Sequence, residues 1–343
     1  MTGRRTLPLL ALAGALTAGG LSAPAAGAQA PGPPCAPASE SGTVDASGVG
    51  LAYESFGSCN AEAVVLIGGT GQQLVEWPME LVQALVDRGF RVIRYDNRDA
   101  GLSTHLTAAG YPDLAAISAA LEQGTPAPVP YTLRDMANDA VGLLDGLGIR
   151  QAHLVGLSMG GDIGQLVAID HPDRVRSLTS IGADSANPGL PVIADPAAFG
   201  AEPPPPADGD RAAFVEYQLA TYRVLSSPAY PPSDAALRRQ VELTVERAYD
   251  PAGLVRQQVV TLVGHLERDN YRHANLGRIA APVAVVQGAD DPLQPLASAQ
   301  ELAATIPGAE LFVVPGLAHD VPAPLAPLFA AAATRVARRA AGA

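Results

Sequence analysis

The chain has no lysine: all 22 of its basic residues are arginine. That excludes chemistry built on a side-chain amine, including the pyridoxal-phosphate Schiff base and the Walker lysine that grips nucleotide phosphates. Cysteine is nearly absent, with only Cys35 and Cys59 in 343 residues, and neither has a histidine close by in sequence. The six histidines are scattered, with no His-x-x-x-His pair. Neither a catalytic metal nor an organic cofactor is expected from this inventory. Positive charge is scarce as well, leaving a net charge of −12. An acidic surface argues against nucleic acid and anionic lipid as partners. No apolar run is long enough to cross a membrane, and no internal repeat is evident.

What is present begins with a leader. Arg4 and Arg5 precede an apolar, Gly-rich run, Leu7 to Leu21, and Ala26-Gly27-Ala28 or Ala28-Gln29-Ala30 fits a signal-peptidase site. A signal peptide over residues 1–30 is expected, with export by the Sec route in preference to the twin-arginine route. The exported chain would be secreted or extracytoplasmic, and its net charge −14 once Arg4 and Arg5 are removed. In an oxidising compartment two cysteines tend to bridge, so a Cys35–Cys59 disulfide is expected. Residues 31–47, rich in Pro, Ala, Ser and Gly at their start, read as a linker.

From residue 48 strand and helix patterns alternate. Val49 to Phe56, Ala63 to Ile67, Phe90 to Tyr95, Ala152 to Val155 and Val175 to Ile181 read as strands. Trp77 to Arg88, Leu133 to Leu147 and Met159 to Ile169 read as helices. Such alternation predicts an α/β fold with a mostly parallel central sheet and helices on both faces. After Ile181 the rhythm breaks. Three helical stripes follow, on Phe214, Tyr217, Thr221 and Val224; on Leu237, Val241, Val245 and Ala248; and on Leu254, Val255, Val259, Leu262, Val263 and Leu266. The strand pattern resumes at Val283. The organisation expected is a core over 48–183 and 277–343, interrupted by an all-helical cap over 184–276. Seven arginines of that insertion, Arg223, Arg238, Arg239, Arg247, Arg256, Arg268 and Arg272, mostly fall off the apolar stripes and read as solvated.

The chemistry is signalled by Gly156-Leu157-Ser158-Met159-Gly160, set between a strand and a helix. Gly-x-Ser-x-Gly in that context is a nucleophile elbow. The turn is so tight that side chains are excluded on either side of the serine, and Ser158 is thrust out of the sheet. The N–H of Met159 is left at a helix N-terminus, suited to an oxyanion. Gly68-Gly69-Thr70-Gly71 follows a buried strand, where a second oxyanion donor is expected from Gly69 or Thr70. Downstream, Val283 to Gln287 runs into Gly288-Ala289-Asp290-Asp291, and Glu310 to Val314 runs into Pro315-Gly316-Leu317-Ala318-His319. Serine, acid and histidine thus come in the order that a Ser-His-Asp hydrolase on this fold requires.

On these residues the chain resembles the α/β-hydrolases of the esterase branch. The segment Tyr95-Asp96-Asn97-Arg98-Asp99-Ala100-Gly101-Leu102-Ser103-Thr104, with the elbow, is similar to the aclacinomycin methylesterases and their relatives. The resemblance covers about residues 48 to 335. In the family pattern the acid lies three residues after a glycine and four before a proline. Gly288 and Pro295 therefore select Asp291 over Asp290. Asp96 and Arg98 are expected to pair within their loop, with Ser103 supporting it.

The resemblance implies an ester hydrolase that uses Ser158, His319 and Asp291 on a small-molecule ester. The cap stripes predict a largely apolar pocket, suited to neutral short-to-medium acyl groups. Two other readings compete. A serine aminopeptidase of the prolyl aminopeptidase type would need a cap carboxylate for the substrate ammonium; Glu216, Glu242 and Glu246 are the candidates. A non-catalytic binding module on the same fold would not need the intact serine, acid and histidine. Oligomeric state cannot be read from the chain.

Overall fold

The computed structural model describes residues 39–199, 209–266 and 270–342. The expected signal peptide, Cys35, the prolines Pro203 to Pro206 and Arg268 lie outside these residues. The chain runs through β1 (Ser39–Asp45), β2 (Gly50–Phe56), β3 (Ala63–Ile67), α1 (Met79–Val86), β4 (Arg91–Tyr95), α2 (Leu114–Gln123), α3 (Leu133–Gly146), β5 (Ala152–Leu157), α4 (Met159–Asp170) and β6 (Val175–Ile181). Among the described residues, α5 (Pro196–Phe199), α6 (Arg211–Leu225), α7 (Asp234–Arg247), α8 (Pro251–Leu266) and α9 (Tyr271–Asn275) follow before the next strand. The core then closes with β7 (Val283–Gly288), α10 (Leu296–Thr305), β8 (Glu310–Val314) and α11 (Ala326–Ala341).

The eight strands form one sheet in the order β1-β2-β4-β3-β5-β6-β7-β8. β2 is antiparallel to both of its neighbours, and every pairing from β4 to β8 is parallel. Every residue of β3, β4, β5 and β7 is buried, as a parallel sheet covered on both faces demands. Alternate residues feed two cores. Val65, Ile67 and Leu154 pack with Met136, Ile163 and Leu302 from α3, α4 and α10. Val64, Leu66 and Val155 pack with Leu81, Leu85 and Phe329 from α1 and α11. Trp77 sits in this second core, 1% exposed.

The chain leaves β3 for β4 on one side and returns to β5 on the other. The crevice beyond the C-terminal ends of β3 and β5 is therefore a topological switch point, where open α/β sheets bind ligands. The ends of these strands carry Gly68-Gly69-Thr70 and Ser158.

Two expectations are corrected here. The segment read as a linker contains β1, which pairs with β2 from Ser39↔Phe56 to Asp45↔Gly50. Its side chains are exposed except Val44, so it has no hydrophobic signature; backbone pairing alone defines it. The arginines of the insertion are not uniformly solvated. Arg223, Arg238 and Arg239 are exposed, but Arg256 and Arg272 are only 1% and 3% exposed. The helical stripes hold in part. Phe214, Tyr217, Val241, Val245 and Leu254 form a small core between α6, α7 and α8. Val259 and Val263 pack on Ile117 of α2, whereas Leu262 and Leu266 face outward.

Arg272 explains how the insertion rejoins the core. Its Nη1 donates to Asp162 Oδ1 at 2.9 Å and to Gln165 Oε1 at 2.8 Å, both on α4; Nη2 donates to Asp184 Oδ1 at 2.5 Å. Burial alone would raise the Asp184 carboxyl, but Arg272 and His265 outweigh it and hold the group below the usual carboxylate range. Burial wins at Asp162, whose carboxyl is pushed well above that range despite Arg272. Removing the guanidinium would strand two buried carboxyl groups. Arg272→Met is expected to destabilise the fold by about 3–5 kcal/mol, read as a lowered urea midpoint. A midpoint unchanged from the parent would contradict this role.

Candidate active site

Ser158 joins β5 to α4 with φ 52° and ψ −124°, a left-handed conformation that costs a non-glycine residue on the order of 1–3 kcal/mol. The surroundings enforce it. A Cβ on Gly160 would lie 2.0 Å from the Ile67 carbonyl oxygen, and one on Gly156 would lie 2.2 Å from that of Gly160. The Ser158 N–H donates to the Ile181 carbonyl at 2.8 Å, and its own carbonyl accepts from Gly161 N–H at 2.7 Å. Ser158 is half-buried while Leu157 and Met159 on either side are buried. The Met159 N–H is the first of α4 and has no acceptor within the helix.

Asp291 and His319 lie side by side. His319 Nδ1 lies 2.8 Å from Asp291 Oδ2, and both residues are buried. Asp291 is fixed in turn. Its Oδ1 accepts from the N–H groups of Leu293 and Gln294, each at 2.8 Å, and Oδ2 accepts from Gln287 Nε2 at 3.1 Å. Asp290 is exposed. With a carboxylate accepting at Nδ1, the histidine carries its proton there, leaving Nε2 as the free base. Asp291 and His319 lie at the end of β6, where a Cβ on Gly182 would meet His319 Nδ1 at 3.2 Å and Asp291 Oδ2 at 3.4 Å, and the Ser158 N–H bonds the carbonyl of Ile181, the residue before Gly182.

Of the two oxyanion candidates after β3, Gly69 lies against Ser158. A Cβ there would approach Ser158 Cβ to 3.4 Å. Its N–H donates to Gln72 Oε1 at 2.8 Å. Thr70 instead turns its hydroxyl to that of Thr261 on α8, at 3.3 Å.

The loop after β4 departs from expectation. Asp96 and Arg98 do not pair with each other. Arg98 reaches Asp139 on α3 through two bonds of 2.6 and 2.7 Å. Asp96, fully buried, accepts from the N–H groups of Leu74 and Leu102 and pairs with Arg247 Nη2 of α7 at 2.7 Å. Asp99, at φ 63°, is held through two 2.7 Å bonds by Arg256 of α8. Ser103 does support the loop, donating to the Asp96 carbonyl and accepting from Ala52 N–H. Sequence periodicity could not find the two ion pairs, because their partners lie about 150 residues apart.

Asp99, His105 and Asp250 come together as a metal site would. Their donors are already committed. His105 contacts Asp250 Oδ2 at 2.6 Å and the Gly101 carbonyl at 2.9 Å, two acceptors, so both ring nitrogens must carry protons. Arg256 spans Asp99 and Asp250. The cluster is charge-balanced as it stands. His153, His171, His265 and His273 also have structural partners: Ser177, Asn138, Asp184 and the Ser185 carbonyl.

This geometry agrees with the comparisons. The family model described as alpha/beta hydrolase fold matches residues 62–322. The chain is 31% identical over 292 residues to the rhodomycin D methylesterase DnrP of Streptomyces peucetius, covering 80% of this chain and 90% of that one. It is 32% identical over 274 residues to a putative carbamate hydrolase RutD of Variovorax paradoxus, covering 79% and 90%. Among solved structures it is similar to a hydrolase from Pseudomonas aeruginosa PA01, with a TM-score of 0.61, 25% identity and coverage of 86% and 97%. The enol-lactonase of Burkholderia xenovorans LB400 shares the fold at a TM-score of 0.61 and 22% identity, covering 87% and 99%. The chain belongs to the α/β-hydrolase family, in its esterase branch.

Beside the loop after β4, Glu76 accepts from Tyr222 Oη of α6 and from Gln73 N–H. Burial raises its carboxyl from 4.5 to about 7; Asp96 adds to the rise, while Tyr222, Gln73 and Arg247 oppose it. The folded protein therefore keeps this proton between pH 4.5 and 7, where the unfolded chain has lost it. Stability contributed by the group is present below the lower value and falls as pH rises through that window. Glu76→Gln should flatten this decline. Urea midpoints at pH 5 and pH 8 read it: the parent should lose more stability than the variant, and equal losses would contradict the assignment.

Proposed function

We propose that the protein is an exported serine esterase that cleaves small-molecule carboxylic esters through an acyl-enzyme. The observation that carries this reading is the buried Asp291–His319 pair, set on the same side of the sheet as a strained, half-buried Ser158. Ser158 Oγ attacks the ester carbonyl and passes its proton to His319 Nε2. Asp291 holds the tautomer and stabilises the imidazolium. The N–H of Met159 and that of Gly69 or Thr70 receive the oxyanion, Gly69 exchanging its bond to Gln72 Oε1 for it. The alcohol leaves with the proton from His319. Water then attacks the acyl-enzyme by the reverse route.

The methylesterase named among the relatives supports an ester as substrate. The aminopeptidase reading loses its cap carboxylates. Glu216 and Glu242 are exposed and turned to Arg238, and Glu246 is exposed. Cap residues reach the loop after β3: Leu254 packs where a Gly71 Cβ would be, 2.4 Å away, and Thr261 meets Thr70. This supports a cap that shapes the acyl pocket, with a preference for neutral short-to-medium chains. Export rests on the leader over residues 1–30. Export also favours the Cys35–Cys59 bridge; Cys59 lies in the exposed turn after β2.

Ser158→Ala should lower turnover of an aryl butyrate by about a thousandfold or more. Asp291→Asn should cost orders of magnitude, and Asp290→Asn should be nearly silent. Steady-state kinetics of the three variants decide the matter. Full activity in Ser158→Ala, or a silent Asp291→Asn beside a crippled Asp290→Asn, would overturn the assignment.

A further inference from the structure

The loop Gly68-Gly69-Thr70-Gly71-Gln72 belongs to neither a strand nor a helix, so its position beside Ser158 depends on side chains that grip its backbone. On the core side, Asn97 Nδ2 donates to the Gly68 carbonyl at 3.1 Å. On the cap side stands Gln257 of α8, fully buried. Its Oε1 accepts from Gly71 N–H at 2.6 Å, and its Nε2 donates to the Arg98 carbonyl at 2.5 Å. The partners fix the amide's orientation, because an N–H needs the oxygen and a carbonyl needs the nitrogen. One side chain thus ties the loop after β3 to the loop after β4, from a helix that lies outside the sheet domain in sequence. One turn further along, Thr261 Oγ1 donates to the Gln257 carbonyl and meets the Thr70 hydroxyl.

We infer that Gln257 is a positioning residue for ester cleavage: through Gly71 it sets the loop whose N–H group receives the oxyanion. This rests on the serine-esterase reading above and deepens it. The cap then does more than line a pocket, because part of the oxyanion geometry is built from it. The physical argument is one of tolerance. A donor worth about a hundredfold or more in turnover gives that benefit only within a few tenths of an ångström. A misplacement of about 1 Å can cost on the order of a hundredfold. Gly71, at φ +72°, cannot hold the loop by a side chain of its own, since a Cβ would strike Leu254. Its N–H to Gln257 is the cap's only direct hydrogen bond to the backbone of residues 68–71 among the described residues.

The test uses the full chain and Gln257→Met, which keeps length and volume but cannot bridge a donor and an acceptor. Turnover is expressed per fluorophosphonate-reactive serine, so unfolded protein is not counted. The expected result is a fall in kcat of about ten- to a hundredfold with KM within about threefold. Affinity for a trifluoromethyl ketone, which forms an oxyanion on the serine, should fall by a similar factor. Val263→Ala is the control. It loosens α8 from Ile117 but touches neither loop, and should leave kcat per site within about twofold. If Gln257→Met does not fold, Gln257→Asn takes its place: its shorter stem keeps the amide but cannot span both partners, and the same fall is expected. Unchanged kcat per site in the folded variant would overturn the inference, as would an equal fall in Val263→Ala. A wild-type enzyme in which the probe labels no serine would instead overturn the serine-esterase reading, and this inference with it.

Discussion

Two carboxylates buried in the loop after β4 hold the molecule together at its site. Asp96 and Asp99 are 0% and 3% exposed, and each meets a guanidinium brought by the insertion, Arg247 from α7 and Arg256 from α8. A carboxylate cannot stay ionised in such a place without a partner. Without the insertion both would lose their guanidinium partners, and without the core Arg256, 1% exposed, would keep only the longer contact to Asp250 at 3.2 Å. The insertion and the core thus share one electrostatic unit. Attraction within each pair is offset by the cost of desolvating it, so the net gain in stability is modest. The consequence lies in specificity of docking, because other placements of the cap would leave these charges unpaired.

The same docking reaches the chemistry at two further points. Gln257 grips Gly71 in the loop beside Ser158. The chain after α6 grips the histidine loop: His319 N–H donates to the Leu225 carbonyl at 3.1 Å, and Ser227 bonds both Asp320 and Ala318 N–H. The elbow, by contrast, is made by the core alone, through the close contact of Gly160 with the end of β3. Ser158 is thus placed by the sheet, while the loops that carry His319 and Gly69 are steadied from the insertion.

Much of this was legible in the chain. The strands Ala63–Ile67, Val175–Ile181 and Glu310–Val314 stand where periodicity puts them, since buried parallel strands are short apolar runs with clear ends. The elbow was legible because steric exclusion demands glycine at fixed offsets from Ser158. Of the two adjacent acids, Asp291 contacts His319 and Asp290 is exposed. Other elements carried no such signal. α2 buries only Ile117, and α11 presents mostly alanines to the core, with Phe329 and Val336 among them. β1 is defined by backbone pairing on an exposed edge. The ion pairs between loop and cap join residues remote in sequence, and a buried arginine looks the same as a solvated one until its partner is placed. That is why Arg247, Arg256 and Arg272 were expected at the surface.

Buried, mutually dependent charges join the insertion to the core. A double-mutant cycle on Asp99→Asn and Arg256→Met, followed by urea unfolding, tests this dependence most directly. Each single change should cost about 2–5 kcal/mol, because Arg256→Met strands the buried Asp99 and Asp99→Asn leaves Arg256 only its longer contact to Asp250. The double variant should cost little more than either single one, giving a coupling energy of roughly 2 kcal/mol or more. Single effects that simply add would contradict the account, because the pair would then contribute nothing that its members do not contribute separately.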